Sequence, residues 1–195
     1  MILTIDEATE RIAAGGVVGV PTDTVYGLAC DPRSATAVDR IYAVKRRPAD
    51  LELSLLGASL DDLAAYGAVD HLARALAEAF WPGALSLIVP ARGEAGLAIP
   101  RRGTTISLRV PDHDTLRELA RRTGPLATTS ANRHGEPAAR TAAECEAAVG
   151  AEVDGVVEGL PGVGLGSTII DLTEAPPRML RSGPIPAEAL RPYLG

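Results

Sequence analysis

The sequence predicts an α/β fold built on a mixed sheet, and three observations carry that reading. Strand-like and helix-like patterns alternate along the chain, as expected when helices pack on a sheet. Apolar residues make up 46% of the 195 residues, a globular level, while aromatic residues are only 3%. The core must therefore be built from Ala, Val, Leu and Ile. Two strand-like runs, 84–91 and 104–110, follow one another with only a loop between them, an antiparallel arrangement within the alternating order. At this length one domain spanning 1–195 is expected, large enough to bury roughly 70% of its unfolded surface.

Taken in order, Thr4 or Asp6 can cap a helix over EATERIAA, which Gly15-Gly16 stops. Residues 17–20 read as a short buried strand ended by Pro21, with Thr22-Asp23-Thr24 as a polar loop. A helix is expected from near Ser34, with Ala37, Ile41 and Val44 on one apolar face and Pro48 as its end. Lys45, Arg46 and Arg47 then lie in its last turn. LELSLLG (51–57) reads as a strand, and helices follow at 59–66 and 70–80, the second closed by Trp81-Pro82-Gly83. ALSLIVPA is a strand and 100–103 a turn. TTISLRV (104–110) alternates, with Thr105, Ser107 and Arg109 on one face and Ile106, Leu108 and Val110 on the other. Next come a helix over 112–123 capped by Asp112 or Asp114, a strand at 125–129, the segment SANRHGEP and a helix over 141–149. Strands near 153–158 and 167–172 and a short final helix complete the chain.

Composition excludes several classes. The start, MILTIDEATERI, is acidic where a secretory signal is basic. The apolar runs fall short of the about 20 residues a membrane-spanning helix needs. Cys30 and Cys145 are too few for a disulfide framework, and each is expected as a buried thiol. They form no metal-ligand spacing with His71, His113 and His134. A cytoplasmic protein without membrane attachment is expected. The net charge is −6 and the pI about 5.1, so the overall basic field of a nucleic-acid binder is absent. The charge balance does not support binding to a nucleic-acid backbone, and any anion site must be local.

Of the 19 Lys and Arg residues, only Lys45 is lysine. A chain that otherwise writes its cations as arginine marks this position as one where a compact ammonium is needed, unless Lys45 simply sits on a solvated helix end. Polar segments occur where α/β proteins place ligands: PTDTVYGL (21–28), KRRP (45–48), Thr105 with Arg109, and TTSANRHGEP (128–137). GLPGVGLGST (159–168) follows, with Arg181 beyond it. That glycine-rich run is not a Walker A loop, because Gly166 rather than Lys precedes Ser167; by itself it reads as a flexible turn before a strand. Ser130 with His134 lacks the nucleophile elbow, since Thr128 and Asn132 stand at its glycine positions. Lys45 and Arg47 can clamp phosphate oxygens, or simply complement the helix dipole. Arg109 can bind a carboxylate or phosphate, or pair with Asp112 or Asp114.

Together these segments, in this order, with WPGALSLIV, SLRVPDH and GSTIIDL followed by R-x-G, resemble the YrdC family of threonylcarbamoyl-AMP synthases over about residues 10–185. The chain is similar to the short, single-domain form. The resemblance implies a twisted open α/β sheet flanked by helices, with a concave, positively lined site. It implies that L-threonine, bicarbonate and ATP, with magnesium on the phosphates, yield threonylcarbamoyl-AMP and pyrophosphate. The product would pass to a downstream transferase complex that modifies tRNA. By motif position, Thr22, Arg109 and Ser130 fall to the threonine substrate. Lys45, Arg47, Thr105, Asn132, Arg140 or Thr141, and Arg181 fall to ATP. Lys45, Arg47, Ser130 and Asn132 form the catalytic group, Ser167 is a weaker candidate, and His134 is left unassigned. Glu52 and Leu56 stand where many members have proline and histidine, as in the short form. Two rivals are a non-catalytic RNA-binding relative, disfavoured by the acidic pI and scarce aromatics, and a carbamoyl-transfer domain of hydrogenase maturation, which sits in a far larger chain.

Overall fold

The computed structural model describes residues 1–46, 53–92, 96–99, 104–160 and 162–194. In chain order the elements are β1 (Ile2–Leu3), α1 (Ile5–Ala13), β2 (Val18–Val20), β3 (Gly27–Cys30), α2 (Ala35–Lys45), β4 (Ser54–Leu56), α3 (Leu60–Ala64), α4 (His71–Phe80) and β5 (Leu85–Pro90). Then come β6 (Thr105–Arg109), α5 (Asp114–Thr123), β7 (Leu126–Ser130), α6 (Ala142–Val149), β8 (Val156–Val157), β9 (Thr168–Asp171), β10 (Arg178–Arg181) and α7 (Ala187–Leu194).

The strands form one open sheet in the order β1-β8-β2-β3-β7-β4-β6-β5-β9-β10. It is mixed, as expected: β5 and β6 pair antiparallel, while β4–β6, β5–β9 and β2–β8 are parallel. Helices cover both faces. Ala8 and Ile12 of α1 and Leu116 and Leu119 of α5 bury one face. Ala37, Val38 and Ile41 of α2, Leu76 of α4 and Cys145 of α6 bury the other. Strand β3 shows the period-two logic, with Leu28 and Cys30 in the second layer and Ala29 in the first. Burying a leucine as completely as Leu55 contributes about 1.5–3 kcal/mol. Among the described residues no helix is long and apolar enough to cross a membrane.

The local signals behave largely as anticipated. Thr4, not Asp6, caps α1, in a capping box with Glu7. Ser34 caps α2. That helix stops at Lys45, because Arg46 turns into the left-handed region at φ 48, so Arg46 lies beyond the last turn. Neither Asp112 nor Asp114 caps α5: both accept from Arg117, at 3.0 and 2.5 Å, and His113 occupies the cap position without a side-chain bond. Strand β7 runs one residue further than its pattern indicates, to Ser130. Strands β1, β3 and β10 are additional to those read from the sequence. The anticipated turn at 100–103 and much of KRRP, with Arg47, lie outside the described residues, as does Glu52.

Candidate active site

Strand pairing assembles the site. Gly27 of β3 lies opposite Ser130 of β7, Ser54 of β4 lies between Thr128 of β7 and Ser107 of β6, and Leu56 lies opposite Arg109. A concave cleft of about 250 Å3 opens over this row. Thr22, Arg109, Ser130, Ser167 and Arg181 line it together, so the structure unites five of the sequence candidates. The two charged residues in the lining are both arginines, Arg109 and Arg181.

One wall is the turn after β2. The Thr22 hydroxyl donates to the Val25 carbonyl at 2.6 Å and accepts from the amides of Thr24 and Val25, so it builds the turn it belongs to. Arg109, 5% exposed, reaches this turn from the end of β6. Its Nε donates to the Gly83 carbonyl at 2.9 Å, Nη1 to Thr24 Oγ1 at 3.0 Å and Nη2 to Asp23 Oδ1 at 2.5 Å. The expected partners Asp112 and Asp114 are instead taken by Arg117. Burial presses the Arg109 pKa below its ordinary value, Asp23 counteracts this, and Arg181 adds like-charge repulsion. Asp23 and Thr24 escaped assignment from sequence, although both lie inside PTDTVYGL.

Behind the cleft, Lys45 ends α2 at 3% exposure. Its ammonium donates to the Ser130 carbonyl at 2.6 Å and to both the carbonyl and Oδ1 of Asn132 at 2.9 Å. Ser130 Oγ donates to the same Asn132 Oδ1 at 2.6 Å. The Asn132 amide nitrogen is spent on the carbonyls of Arg133 and Glu136, which fixes which way its oxygen points. Lys45 thus meets the cleft through the SAN segment and is not on a solvated helix end.

The opposite wall is the glycine-rich segment, and it is docked rather than a loose turn. The amides of Val163 and Gly164 donate to the carbonyls of Asp23 and Thr24, at 3.2 and 2.8 Å. A β-carbon on Gly162 would lie 2.3 Å from the Thr24 oxygen, so only glycine permits this approach. Ser167 shares a 2.8 Å hydrogen bond with Ser86, and Arg181 donates from Nε and Nη2 to its carbonyl and hydroxyl. Burial lowers the pKa of Arg181 too. Arg140 lies against Gly164 at the far end of the segment. Arg140, Thr105 and Thr141 are absent from the lining of the cleft; the Thr141 hydroxyl caps α6.

A family model described as Sua5_yciO_yrdC, telomere recombination, matches residues 10–183. A putative threonylcarbamoyl-AMP synthase of Mycobacterium tuberculosis is 38% identical over 194 residues, 98% of this chain and 89% of its own. Among solved structures, Pyrococcus abyssi Sua5 complexed with L-threonine superposes with a TM-score of 0.92 at 34% identity, covering 98% of this chain and 57% of that one. E. coli YciO superposes with a TM-score of 0.86 at 28% identity, covering 97% and 92%. With the family model over most of its length and such a relative along nearly the whole of both chains, the chain belongs to the Sua5/YciO/YrdC family.

Proposed function

We propose that the protein is a threonylcarbamoyl-AMP synthase: it joins L-threonine, bicarbonate and ATP into threonylcarbamoyl-AMP, releasing pyrophosphate. The observation that carries this reading is the placement of Arg109 and Arg181 in one cleft, near enough to feel each other's charge. Asp23 already answers the charge of Arg109, so the two arginines and this one carboxylate leave a net positive charge at the cleft, which favours anions. The reaction brings two together, the carboxylated amino acid and the triphosphate, whose mutual repulsion fixed donors must offset. The relative named for this activity and the Sua5 structure holding L-threonine support the same assignment.

In this reading Arg109 takes the threonine carboxylate, as a forked donor suits. Thr22 shapes that subsite through its turn. Arg181 and Ser167 hold the nucleotide, with Arg140 beyond them. Ser130 and Asn132 stand where both substrates meet, and Lys45 supplies positive charge through them while holding their oxygens in place. Arg47, Thr105 and Thr141 remain candidates for the nucleotide from the family resemblance. From the family resemblance, magnesium would arrive on the triphosphate as part of the Mg–ATP substrate. No side chain is asked to act as a covalent nucleophile. Holding the carbamate oxygen in line with the α-phosphorus supplies the rate through proximity and charge. The mixed anhydride product is labile and would be consumed by a separate transferase acting on tRNA.

The test is pyrophosphate release by the purified protein with Mg–ATP, bicarbonate and L-threonine. Release should require all of them. Equal release without threonine refutes the assignment.

A further inference from the structure

The Arg109 guanidinium has five N–H groups. Three are committed inside the protein: one on Nε to Gly83, one on Nη1 to Thr24 and one on Nη2 to Asp23. Two remain, one on each terminal nitrogen. Two donors on neighbouring nitrogens match the two oxygens of a carboxylate when both face the cleft that Arg109 lines. Which pair remains is decided by what holds the other three.

The Asp23 carboxylate is not needed to build its own turn. The Thr22 hydroxyl does that, through the Thr24 and Val25 amides and the Val25 carbonyl. The Asp23 backbone carbonyl is separately engaged by the Val163 amide. The carboxylate itself is only 16% exposed and is directed at Arg109, closer than either other partner of that guanidinium.

We propose that Asp23 is a positioning residue for the amino-acid substrate: with Thr24 it fixes the rotation of the Arg109 guanidinium, leaving one N–H on each terminal nitrogen for the α-carboxylate. This rests on the synthase reading and extends it to a residue that never touches substrate. Asp23 also keeps a nearly buried cation compensated before substrate arrives, so Arg109 does not have to leave the cleft to find a partner.

Asp23→Ala and Asp23→Asn test the idea, with L-threonine affinity measured by calorimetry and the KM values for threonine and Mg–ATP measured at steady state. The Ala variant should bind threonine about 10-fold or more weakly, the scale of one charged hydrogen bond, with the ATP KM within about 2-fold of the parent. The Asn variant keeps an oxygen that accepts from Nη2 and should recover most of the loss, which separates orientation from charge. Unchanged threonine affinity in the Ala variant, equal losses for both substrates, or an Asn variant as weak as the Ala variant would overturn the role. A parent that binds no threonine sinks the synthase reading itself, whereas a parent that binds it as tightly as the Ala variant sinks only Asp23.

Discussion

Lys45 and Asn132 meet through two bonds of equal length: the ammonium donates to the carbonyl and to Oδ1 of the asparagine, each at 2.9 Å. A third bond goes to the Ser130 carbonyl, and the His134 amide returns one to the Lys45 carbonyl. The end of α2 and the SAN segment are therefore one unit. A compact ammonium draws three oxygens in around one nitrogen, whereas a guanidinium spreads its donors in a plane over three nitrogens and does not reproduce that arrangement. That is a physical reason for a lysine in a chain otherwise written with arginine.

Lys45→Arg should accordingly lose most activity despite keeping its charge, and Lys45→Met should also unfold more easily, by at least the about 1.5–3 kcal/mol of one charged hydrogen bond. Burial adds a chemical prediction. An amine-acylating reagent should modify the exposed N-terminus and spare Lys45, with or without Mg–ATP, until the protein is denatured. Peptide mapping reads this directly. Native labelling of Lys45 that ATP suppresses would mean that the ammonium faces the nucleotide itself.

Gly162 and Gly166 should differ in kind. A methyl at 162 meets backbone, 2.3 Å from the Thr24 oxygen, and cannot be accommodated without undocking the segment. A methyl at 166 meets the guanidinium of Arg181 at 3.0 Å, the far end of a side chain. Gly162→Ala should lower stability by about 1–3 kcal/mol, as overpacking does, and raise both substrate requirements. Gly166→Ala should leave stability nearly unchanged and disturb ATP alone. Thermal melts with paired KM measurements distinguish the two.

Most of the architecture was legible because it rests on local signals: apolar faces such as Ala37, Ile41 and Val44, caps such as Ser34, and the alternation along 104–110. Strand β3 was not legible. Gly-Leu-Ala-Cys has little strand propensity and becomes a strand because β2 and β7 pair with it on either side, a tertiary fact. The site divides the same way. Its motifs gave Thr22, Arg109, Ser130, Ser167 and Arg181, which the cleft collects. The partnership of Asp23 with Arg109 spans 86 residues, and no local spacing announces it. Thr141 shows that a residue at a motif position can also serve the fold, since its hydroxyl caps α6.

Acid should act on Asp154, one of several carboxyls held below their ordinary pKa and one that lies away from the cleft. Burial favours its neutral form, but bonds from Arg40 at 2.8 Å and the Val17 amide at 2.7 Å outweigh that and hold its pKa below the ordinary 3.8. A carboxyl depressed on folding stabilises the fold above its unfolded pKa, and the contribution is lost as pH falls through the folded value. Asp154→Asn should cost about 1 kcal/mol near pH 7, a figure kept low because the pair is partly screened by water. The difference from the parent should shrink as the pH drops below about 4. Denaturant melts across pH read it, and a penalty that does not change with pH would show that charge is irrelevant there.

Arg181 offers the complement to Asp23. Its guanidinium lies over Gly166 and is anchored by two bonds to Ser167, one to the carbonyl at 2.8 Å and one to the hydroxyl at 3.0 Å. Ser167 is itself tied to Ser86, so the arginine is held from the sheet rather than from solvent. If this wall receives the nucleotide, Arg181→Ala should raise the ATP KM about 10-fold or more and leave the threonine KM within about 2-fold, the mirror image of Asp23→Ala. Ser167→Ala should show a smaller rise in the same direction, because it removes one of two anchors and leaves the charge. Arg181→Lys keeps the charge but lacks the fork that spreads the two bonds to Ser167 over Nε and Nη2, so it should fall between the parent and Arg181→Ala. Stability should change little, since the residue is exposed overall and only the inner end of its guanidinium is sheltered against Ser167. A threonine KM that rises in step with the ATP KM would place Arg181 at the junction of the two substrates instead, and would shift the nucleotide wall toward Arg140.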